Sequence, residues 1–225
     1  MGLIPLHSAH YSKPFKALIG ALPLAKEEHA GFIDRIKSYT IKAVREAKVH
    51  TGWLKPDNDY EDAFLGFIEK ILEPSEENAF LGQLRQWTRT IARFGALNSL
   101  AQTLLKLTCP GAPDLYQGTE LWDLHFVDPD NRQAVDFEQR RKFLAEIKKR
   151  EKESLQSLLL DLLAHWEDGR VKLFLIYKAL NFRRRQKALF QNGSYVPLAV
   201  SGMAASRVCA FARRDGAVWS VVAVP

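Results

Sequence analysis

The first 72 residues contain two runs of apolar positions with a helical period. In the first run, from Glu27 to about Lys48, apolar residues recur at steps of three and four and so share one helix face. They are Phe32, Ile33, Ile36, Tyr39, Ala43, Val44 and Ala47. Gly52 and Pro56 oppose continuation, and Asp57 or Asn58 can cap a second helix that reaches about Leu72. Its predicted inward residues are Tyr60, Phe64, Phe67, Ile68 and Ile71.

A long helical stretch is predicted from Glu76 to Leu107. We expect a bend or break near Gly95, because glycine weakens a helix by ~1 kcal/mol relative to alanine. The segment Cys109–Pro113 stops this helix, and the residues from 114 to 134 then show a short extended piece followed by an aperiodic, structured loop. Asp136, with Gln139 three residues later, resembles a capping box that opens a helix to about Arg150.

The last third of the chain changes from a helical to a β pattern. Two helices are predicted at about Glu153–His165 and Gly169–Lys187, the second capped by Asp168. Strands are predicted at Tyr195–Val200, Arg207–Arg213 and Ala217–Val224, the last two joined by a hairpin turn across residues 214–216. The sequence therefore predicts an α+β fold, in which a mainly α-helical body carries a small antiparallel β appendage at the C-terminus.

The net charge of +6 and the pI of about 9.3 raise the question of a nucleic-acid partner. The densest basic clusters, Lys148–Arg150 and Arg183–Arg185, fall at the ends of predicted helices, where cations complement the helix dipole. Acidic residues are interspersed nearby and the chain has no nucleic-acid-binding signature, which favours solvated helix ends over a polyanion site. We predict no nucleic-acid partner.

The apolar runs and the cysteines predict a cytoplasmic protein without a membrane partner. No apolar run approaches the ~20 residues needed to span a bilayer, and the first residues lack the pattern of a secretory signal. The two cysteines, Cys109 and Cys209, are too few and too far apart for a disulfide scaffold or for metal-ligand spacing. Whether Cys109 is reactive stays open.

The stretch with the most chemical information runs from Pro110 to Arg132. It combines carboxylates, amides and aromatic rings, which together suit a sugar: polar groups bind hydroxyls, and a ring packs on the CH face of a pyranose. These residues are Tyr116, Gln117, Glu120, Trp122, Asp123, Asp128, Asp130, Asn131 and Arg132. The alternative is an ordinary polar loop whose carboxylates cap turns and pair with Arg132.

The same loop gives no specific signal for catalysis or for a metal. Glycosidase carboxyl pairs lie about 5–5.5 Å apart in retaining and roughly 6.5–9.5 Å apart in inverting enzymes, distances that most acidic pairs in one loop could satisfy. Asp128–Asn131 imitates the start of a calcium loop but lacks its later glycine and glutamate, and His125 has no second histidine at ligand spacing. We assign no catalytic residue, no metal and no cofactor.

Six segments of the chain, in order and at the expected approximate spacing, resemble the carboxyl-terminal portion of the maltooligosyltrehalose synthase family. The segments are Leu18–Pro23, Arg45–Trp53, Asn98–Gln102, Pro110–Glu120, Leu121–Phe137 and Leu189–Leu198. The most specific feature is the run Tyr116–Trp122 followed by Val127–Arg132. The resemblance extends from about Ala17 to Pro225.

The resemblance implies an incomplete part of a (β/α)₈ barrel enzyme of the α-amylase-like superfamily. The family converts the reducing-end α-1,4 linkage of a maltooligosaccharide into an α,α-1,1 linkage, by a retaining mechanism that uses two aspartates and a glutamate. By its layout all three lie upstream of the region present here. Residues 1–187 would be a mainly helical segment with the last barrel strand at 113–117 and a sugar-facing loop at 117–134. Residues 188–225 would be part of a C-terminal β domain.

The same layout gives candidate substrate-binding residues, and the chain departs from the family at several nearby positions. The candidates are Tyr116, Gln117, Glu120, Trp122, Asp128, Asp130, Asn131, Arg132 and Trp53. The departures are Gly52 in place of the usual serine, Leu22 in place of tryptophan, and Gln133-Ala134 in place of an Arg-Pro pair.

Three functional hypotheses follow. The first is a maltooligosyltrehalose synthase segment that is inactive alone, whether as a piece, a degenerate product or one part of a split enzyme. The second is a non-catalytic α-glucan-binding module with Trp53, Tyr116 and Trp122 as stacking surfaces. The third is an interaction protein whose partner supplies the missing barrel.

Overall fold

The computed structural model describes residues 16–24 and 28–225, and it is mostly helical. Residues 16–21 are helical. The helices that follow are α1 (His29–Ala47), α2 (Asn58–Leu72), α3 (Ala79–Thr108), α4 (Phe137–Glu153), α5 (Leu155–Ala164), α6 (Arg170–Arg185) and α7 (Lys187–Gln191). The strands are β1 (Ser194–Pro197), β2 (Cys209–Asp215) and β3 (Val218–Val224).

The chain divides into two compact units. Unit 1 contains the residues up to Arg93 together with Leu124–Ala134, and unit 2 contains Phe94–Asp123 together with Val135–Pro225. Helix α3 therefore begins in unit 1 and ends in unit 2, and the predicted sugar-facing loop is shared between the units.

The core of unit 1 is built from pairs of residues four apart on α1 and α2. Phe32 and Ile36 of α1 and Ile68 and Leu72 of α2 are almost wholly buried, as the helical period predicts. Phe126 adds its ring to this core and stacks on Tyr39 with the ring centroids 4.7 Å apart. At the start of α2, the Asp57 side chain accepts the backbone N–H of Tyr60, which confirms the predicted cap.

Two expectations for these helices were wrong: that Phe67 faces inward, and that the long helix breaks near Gly95. A bend near Gly95, the other expectation, stays a prediction. Phe67 is 46% exposed, because it lies about 100° round the helix from the buried Ile68. Helix α3 runs unbroken through Gly95 for 30 residues. The local cost of one glycine, ~1 kcal/mol, does not end a helix that is hydrogen-bonded on both sides of it.

Unit 2 has its own core, formed where α4, α5 and α6 pack together. Its buried residues are Leu121, Ile147, Leu158, Leu162 and Leu173. Asp136 accepts the backbone N–H of Gln139 at 2.8 Å and so caps α4 as predicted. Ser154 both ends α4 and begins α5: its N–H donates to the Arg150 carbonyl, and its side chain accepts the N–H of Ser157.

The sheet is antiparallel, with the strand order β1-β2-β3. Asp215 pairs with Val218 across a two-residue turn in which Gly216 has a φ of +57°, a backbone conformation that favours glycine. Buried Arg213 of β2 donates to the carbonyls of Thr108, Phe190 and Gly193, which ties the sheet to the carboxyl ends of α3 and α7.

The coarse fold prediction is confirmed: a mainly helical chain carries a small three-stranded antiparallel sheet. The whole sheet belongs to unit 2, in which β2 packs on α7. The predicted division into segments 1–187 and 188–225 stays a prediction. Residues 112–116 pair with no strand of the described chain. Their assignment to a barrel strand at 113–117 stays a prediction, since barrel neighbours would have to come from elsewhere.

Candidate functional site

The candidate substrate-binding residues fall into two groups, one in each compact unit. Trp53, Asp128, Asp130, Asn131 and Arg132 belong to unit 1. The other group, Tyr116, Gln117, Glu120 and Trp122, belongs to unit 2.

In unit 1, Asp130 is held at both of its carboxylate oxygens. Arg35 Nε lies 3.0 Å from Oδ1 and 3.1 Å from Oδ2. The Phe126 backbone N–H donates to Oδ2 at 2.6 Å, and the Gln133 side chain donates to Oδ1 at 2.6 Å. Arg35 also donates to the Leu124 carbonyl at 2.6 Å. One carboxylate and one guanidinium therefore fix the shape of the segment from Leu124 to Gln133.

The protonation of Asp130 follows from these contacts. Burial raises the pKa of this carboxyl, but the hydrogen bonds from Arg35 and from the Phe126 N–H outweigh it, so the pKa is lowered overall. Asp130 is thus a charged structural anchor. A carboxylate whose oxygens all accept hydrogen bonds is poorly suited to act as a general acid or a nucleophile.

Beside Asp130 lies an open cleft of about 320 Å³ between α1 and the loop, within the ~300–1,000 Å³ range of small-molecule sites. Tyr39 and Lys42 line it from α1, and Val127, Asp128 and Gln133 line it from the loop. Lys42 donates to the Asp128 carbonyl, and the Asp128 carboxylate is ion-paired with exposed Arg132. The cleft therefore offers both cationic and carboxylate groups beside apolar surface.

In unit 1, a second set of contacts, made by Arg45 and Glu61, holds the side chain of Trp53 in place. Its ring is 57% exposed, and the Arg45 guanidinium carbon lies 5.1 Å from the ring centroid. Arg45 is held in turn by Glu61, with Nε and Nη2 at 2.8 and 2.6 Å from the two carboxylate oxygens. The Arg45 guanidinium covers one face of the indole, and the surface of Trp53 that remains exposed is available for stacking on a ligand.

Glu61 organises the turn that carries Trp53. Thr51 donates to Glu61 at 2.5 Å, and the same hydroxyl accepts the backbone N–H of Asp57 at 2.9 Å. The hydrogen bond from Arg45, with that from Thr51, lowers the pKa of Glu61 from its usual value near 4.5 to about 2. The pair stays charged at any physiological pH, and it fixes the turn between α1 and α2.

In unit 2, Glu120 holds the turn at residues 117–120. Its Oε2 accepts the Gly118 N–H and the Arg140 Nε, each at 3.1 Å, while Arg140 also donates to the Gly118 carbonyl at 2.6 Å. Gly118 has a φ of +93°, which explains the glycine. This pairing binds the turn to α4, so Glu120 shapes the loop through Arg140.

Trp122 is a partly buried anchor in unit 2. Its indole N–H donates to the Trp166 carbonyl at 2.7 Å, and buried Lys172 lies 5.8 Å from its ring centroid. Lys172 also donates to the Leu121 carbonyl at 3.2 Å. Burial lowers the pKa of Lys172, an effect that the nearby Asp123 and Glu120 carboxylates reduce. The polar edge of Trp122 is therefore occupied by the protein.

Tyr116 and Gln117 are both exposed, Tyr116 at 50% of its surface. The Tyr116 carbonyl accepts the backbone N–H and the hydroxyl of Thr119, at 3.0 and 2.6 Å, so the backbone beneath these side chains is ordered by a turn. Their side chains can face a ligand.

Sequence reasoning missed the cations that hold the two groups: Arg35, Lys42 and Arg45 in unit 1, and Arg140 and Lys172 in unit 2. A signal was present for two of them. Arg35 and Lys42 are seven residues apart, which places them on one face of α1 and beside the core positions Phe32 and Ile36. The paired carboxylates, by contrast, are remote in sequence, Asp130 lying 95 residues from Arg35.

One arginine of each basic cluster is engaged by protein groups. Arg150 pairs with Asp161 at 2.7 Å and with Glu146 at 3.4 Å, and Arg183 donates to the Leu107 and Gly111 carbonyls. Among residues 16–24 and 28–225, no group of three or more metal-ligating side chains comes together. Within the same ranges, no helix has the length and apolarity needed to cross a membrane.

The chain is similar to known proteins in both sequence and structure. A Mycobacterium tuberculosis protein named as a maltooligosyl trehalose synthase is 34% identical over 201 residues, which are 88% of this chain and 23% of that protein. A crystal structure of a maltooligosyl trehalose synthase matches with a TM-score of 0.75 and 32% identity, over 91% of this chain and 26% of that one. The Arthrobacter ramosus maltooligosyltrehalose synthase matches with a TM-score of 0.68 and 30% identity, over 88% and 23%. No protein-family model matches the chain.

The chain is homologous to a carboxyl-terminal part of the maltooligosyl trehalose synthases. It spans about a quarter of the length of the relatives it matches. The synthase homology covers nearly the whole of this chain, so it includes both compact units.

The departures from the synthase pattern can now be placed. Gly52 precedes Trp53 in the turn held by Glu61, and a Cβ added there would come no closer than 4.0 Å to the Arg45 carbonyl. The usual serine would therefore fit. Gln133, at a position where the resemblance implies an arginine, donates to Asp130, and Leu22, at 3% exposed, is part of the unit 1 core.

Proposed function

We propose that this chain is a maltooligosyltrehalose synthase segment that binds maltooligosaccharide and does not catalyse the transglycosylation alone. The rearrangement moves the reducing-end linkage from α-1,4 to α,α-1,1, in the service of trehalose biosynthesis. The observation that carries the proposal is the synthase homology over almost the whole chain.

Direct sugar contact is assigned to the exposed or half-buried members of the candidate set that are not given a positioning role below. In unit 1 these are exposed Trp53, as a stacking surface, and exposed Arg132, together with two half-buried residues, Asp128, which lines the cleft, and Asn131. In unit 2 they are Tyr116 and Gln117. Apolar ring faces beside charge-assisted hydrogen-bonding groups are what a pyranose needs.

A positioning role is assigned to the candidates whose polar atoms are occupied. Asp130 is saturated by Arg35, Phe126 and Gln133, and Glu120 is bound by Arg140. Trp122 donates its only N–H to Trp166. These three residues would shape the loop on which the contacting residues stand.

The proposed inactivity rests on the lack of a suitable catalytic pair of carboxyl groups among the loop residues. Glycosyl transfer with retention needs a carboxylate nucleophile and a carboxylic acid about 5–5.5 Å apart. Two of the loop carboxylates, Asp130 and Glu120, are bound to arginines. The resemblance to the family puts its catalytic trio upstream of the matching region.

A calorimetric titration with maltohexaose tests the binding claim. We expect saturable binding to maltohexaose and none to cellohexaose, whose β-1,4 linkages give a different chain shape. Equal affinity for both sugars would show that the chain does not select α-1,4 linkages, and no saturable heat with maltohexaose would show that it is not an α-glucan binder.

The second candidate is a glucan-binding module that never takes part in catalysis. The exposed, arginine-backed Trp53 favours it, because this platform needs no other part of a synthase to form. The two candidates are separated by adding the rest of a synthase: only the first predicts that trehalosyl product then appears.

A further inference from the structure

Unit 1 contains a small cavity that is separate from the cleft beside Asp130, with which it shares no lining residue. Its volume is about 20 Å³, and a cavity larger than ~10–15 Å³ admits one water-sized group. The lining comes from helix α3, from the first residue of α1 and from residues 22–24. It includes Leu22, Leu24, His29, Arg85, Thr88 and Arg89.

Thr88 places an unpartnered hydroxyl in the wall of this cavity. The residue is only 3% exposed, and within residues 16–24 and 28–225 its Oγ1 has no hydrogen-bond partner. Thr108 of the same helix shows the usual arrangement, since its hydroxyl donates to the Leu104 carbonyl at 2.6 Å. A buried hydroxyl without a partner destabilises a fold, so the Thr88 hydroxyl indicates that a ligand atom enters the cavity.

Two arginines accompany Thr88 on α3. Arg85 and Arg89 are four residues apart, and together with Thr88 they fall within a sector of about 100° of the helix. In the part of the chain that the structure describes, neither arginine has an ion-pair partner. Like charges four residues apart on a helix repel each other. An anion bound between the two guanidinium groups would remove this repulsion.

The rest of the lining offers nothing that would repel an anion. His29 Nε2 lies 2.8 Å from the Leu72 carbonyl oxygen, and because a carbonyl only accepts, this nitrogen carries the proton and is already engaged. The other lining residues are Leu22, Pro23 and Leu24, so no carboxylate lines the cavity among the described residues. A hydroxyl and two cations therefore meet at a site without a competing negative charge.

We propose that this cavity binds a phosphate group. One phosphate oxygen would enter the cavity and accept the Thr88 hydroxyl, while the oxygens that remain outside accept the guanidinium groups of Arg85 and Arg89. A phosphate has enough oxygens for all three partners and matches the fork of an arginine, whereas the two oxygens of a carboxylate do not suffice for them. The site is independent of the proposed glucan binding, and it suits inorganic phosphate and a phosphate ester alike.

The test measures phosphate binding by the full chain with calorimetry and thermal unfolding. The probes are inorganic phosphate and glucose 6-phosphate, and the control anions are chloride and acetate at the same ionic strength. Wild type is compared with Thr88→Val, Arg89→Gln and Arg93→Gln. Arg93 is the matched control for Arg89, because both are exposed arginines of α3 but Arg93 does not line the cavity. Circular dichroism checks that every variant keeps its helix content.

We expect saturable binding at one site, with a higher Tm in phosphate than in either control anion. Thr88→Val should weaken the affinity for phosphate by roughly tenfold or more, since a hydrogen bond to a charged group is lost. Without phosphate, the same variant should have a Tm at or above that of the wild type, because valine keeps the shape and removes the unpartnered hydroxyl. Arg89→Gln should weaken binding, and Arg93→Gln should not.

Equal effects of phosphate, acetate and chloride on the Tm would overturn the proposal, as would an unchanged phosphate affinity of Thr88→Val. A Tm of Thr88→Val below that of the wild type in the absence of phosphate would also overturn it, because the hydroxyl would then already have a partner. Tighter binding of inorganic phosphate supports the site with the free ion as its ligand, and tighter binding of glucose 6-phosphate supports it with an ester. Failure of maltohexaose binding leaves these results unaffected.

Discussion

Arg35 of helix α1 and Asp130 of the loop are 95 residues apart, yet Arg35 Nε lies within 3.1 Å of both oxygens of the Asp130 carboxylate. The contact fixes a loop that has little regular secondary structure. Because the same carboxylate also accepts the Phe126 N–H, the ion pair determines the backbone course beside the cleft.

The Asp130→Asn substitution should therefore destabilise unit 1. Asparagine has one acceptor oxygen and no charge, so some of the donors around it lose their partner. We expect a loss of about 1–3 kcal/mol in the free energy of unfolding, measured by urea denaturation, together with faster amide exchange at Phe126. The control is Asp128→Asn, which removes a partly exposed pair with Arg132 and should cost less than about 1 kcal/mol. Equal effects of the two substitutions would contradict the anchoring role.

The Glu61→Gln substitution should change how stability depends on pH. The folded pKa of Glu61, about 2, lies below its usual value near 4.5. Its contribution is therefore fully present above about pH 4.5 and is lost as the pH falls toward 2. The variant should have a Tm several degrees lower than that of the wild type at pH 7, and this difference should shrink across that window.

The Glu69→Gln variant is the control for this measurement. Glu69 pairs with Lys37 at the surface, where the Glu69 side chain is 56% exposed. The Tm of the Glu69→Gln variant should therefore follow that of the wild type at every pH. A Glu61→Gln variant whose Tm difference stays constant from pH 7 to pH 2 would show that the Arg45 pair does not produce the low pKa.

The Trp53→Ala substitution should weaken maltohexaose binding by tenfold or more, which corresponds to about 1.4 kcal/mol. The reason is the loss of the exposed stacking face backed by Arg45. Leu54→Ala is the neighbouring control, since Leu54 is fully exposed and equally apolar. Calorimetry measures the affinity of both variants for maltohexaose. An unchanged affinity for Trp53→Ala would show that Trp53 is not part of the sugar site.

The Trp122→Phe substitution should lower stability and leave sugar affinity unchanged. Phenylalanine keeps a ring near Lys172 but cannot donate to the Trp166 carbonyl, a loss of about 0.5–1.5 kcal/mol. Trp219→Phe, at a 49% exposed position of β3, controls for the change of side chain. If maltohexaose affinity falls with Trp122→Phe, the residue contacts sugar directly and our division of roles is wrong.

Local physics was enough to predict most of the helices and their caps. The apolar period of α1 and α2, the Asp57 and Asp136 caps and the 215–218 hairpin depend on residues a few positions apart. The predicted break at Gly95 and the predicted inward position of Phe67 were wrong. One glycine did not end a long helix, and one aromatic at the edge of an apolar face was left outside the core.

The partners of the candidate site could not be predicted in the same way. Carboxylates and aromatics in one loop are visible in the sequence, but whether each one contacts a ligand or holds the fold depends on remote cations. Asp130 meets Arg35, Glu120 meets Arg140, and Trp122 meets Lys172 at sequence separations that no short pattern specifies. Asp128 pairs with Arg132, four residues away, which is a contact of the kind that the alternative of an ordinary polar loop describes.

The central claim is that this chain holds part of the wall of a glucan site without the acidic side chains that perform the transfer. The most direct measurement incubates the purified chain, free of any other protein, with maltohexaose and follows both the reducing ends and the products by chromatography. We predict that the reducing ends persist and that no trehalosyl sugar forms over many hours. Loss of reducing ends with the appearance of a trehalose-terminated oligosaccharide would contradict the account.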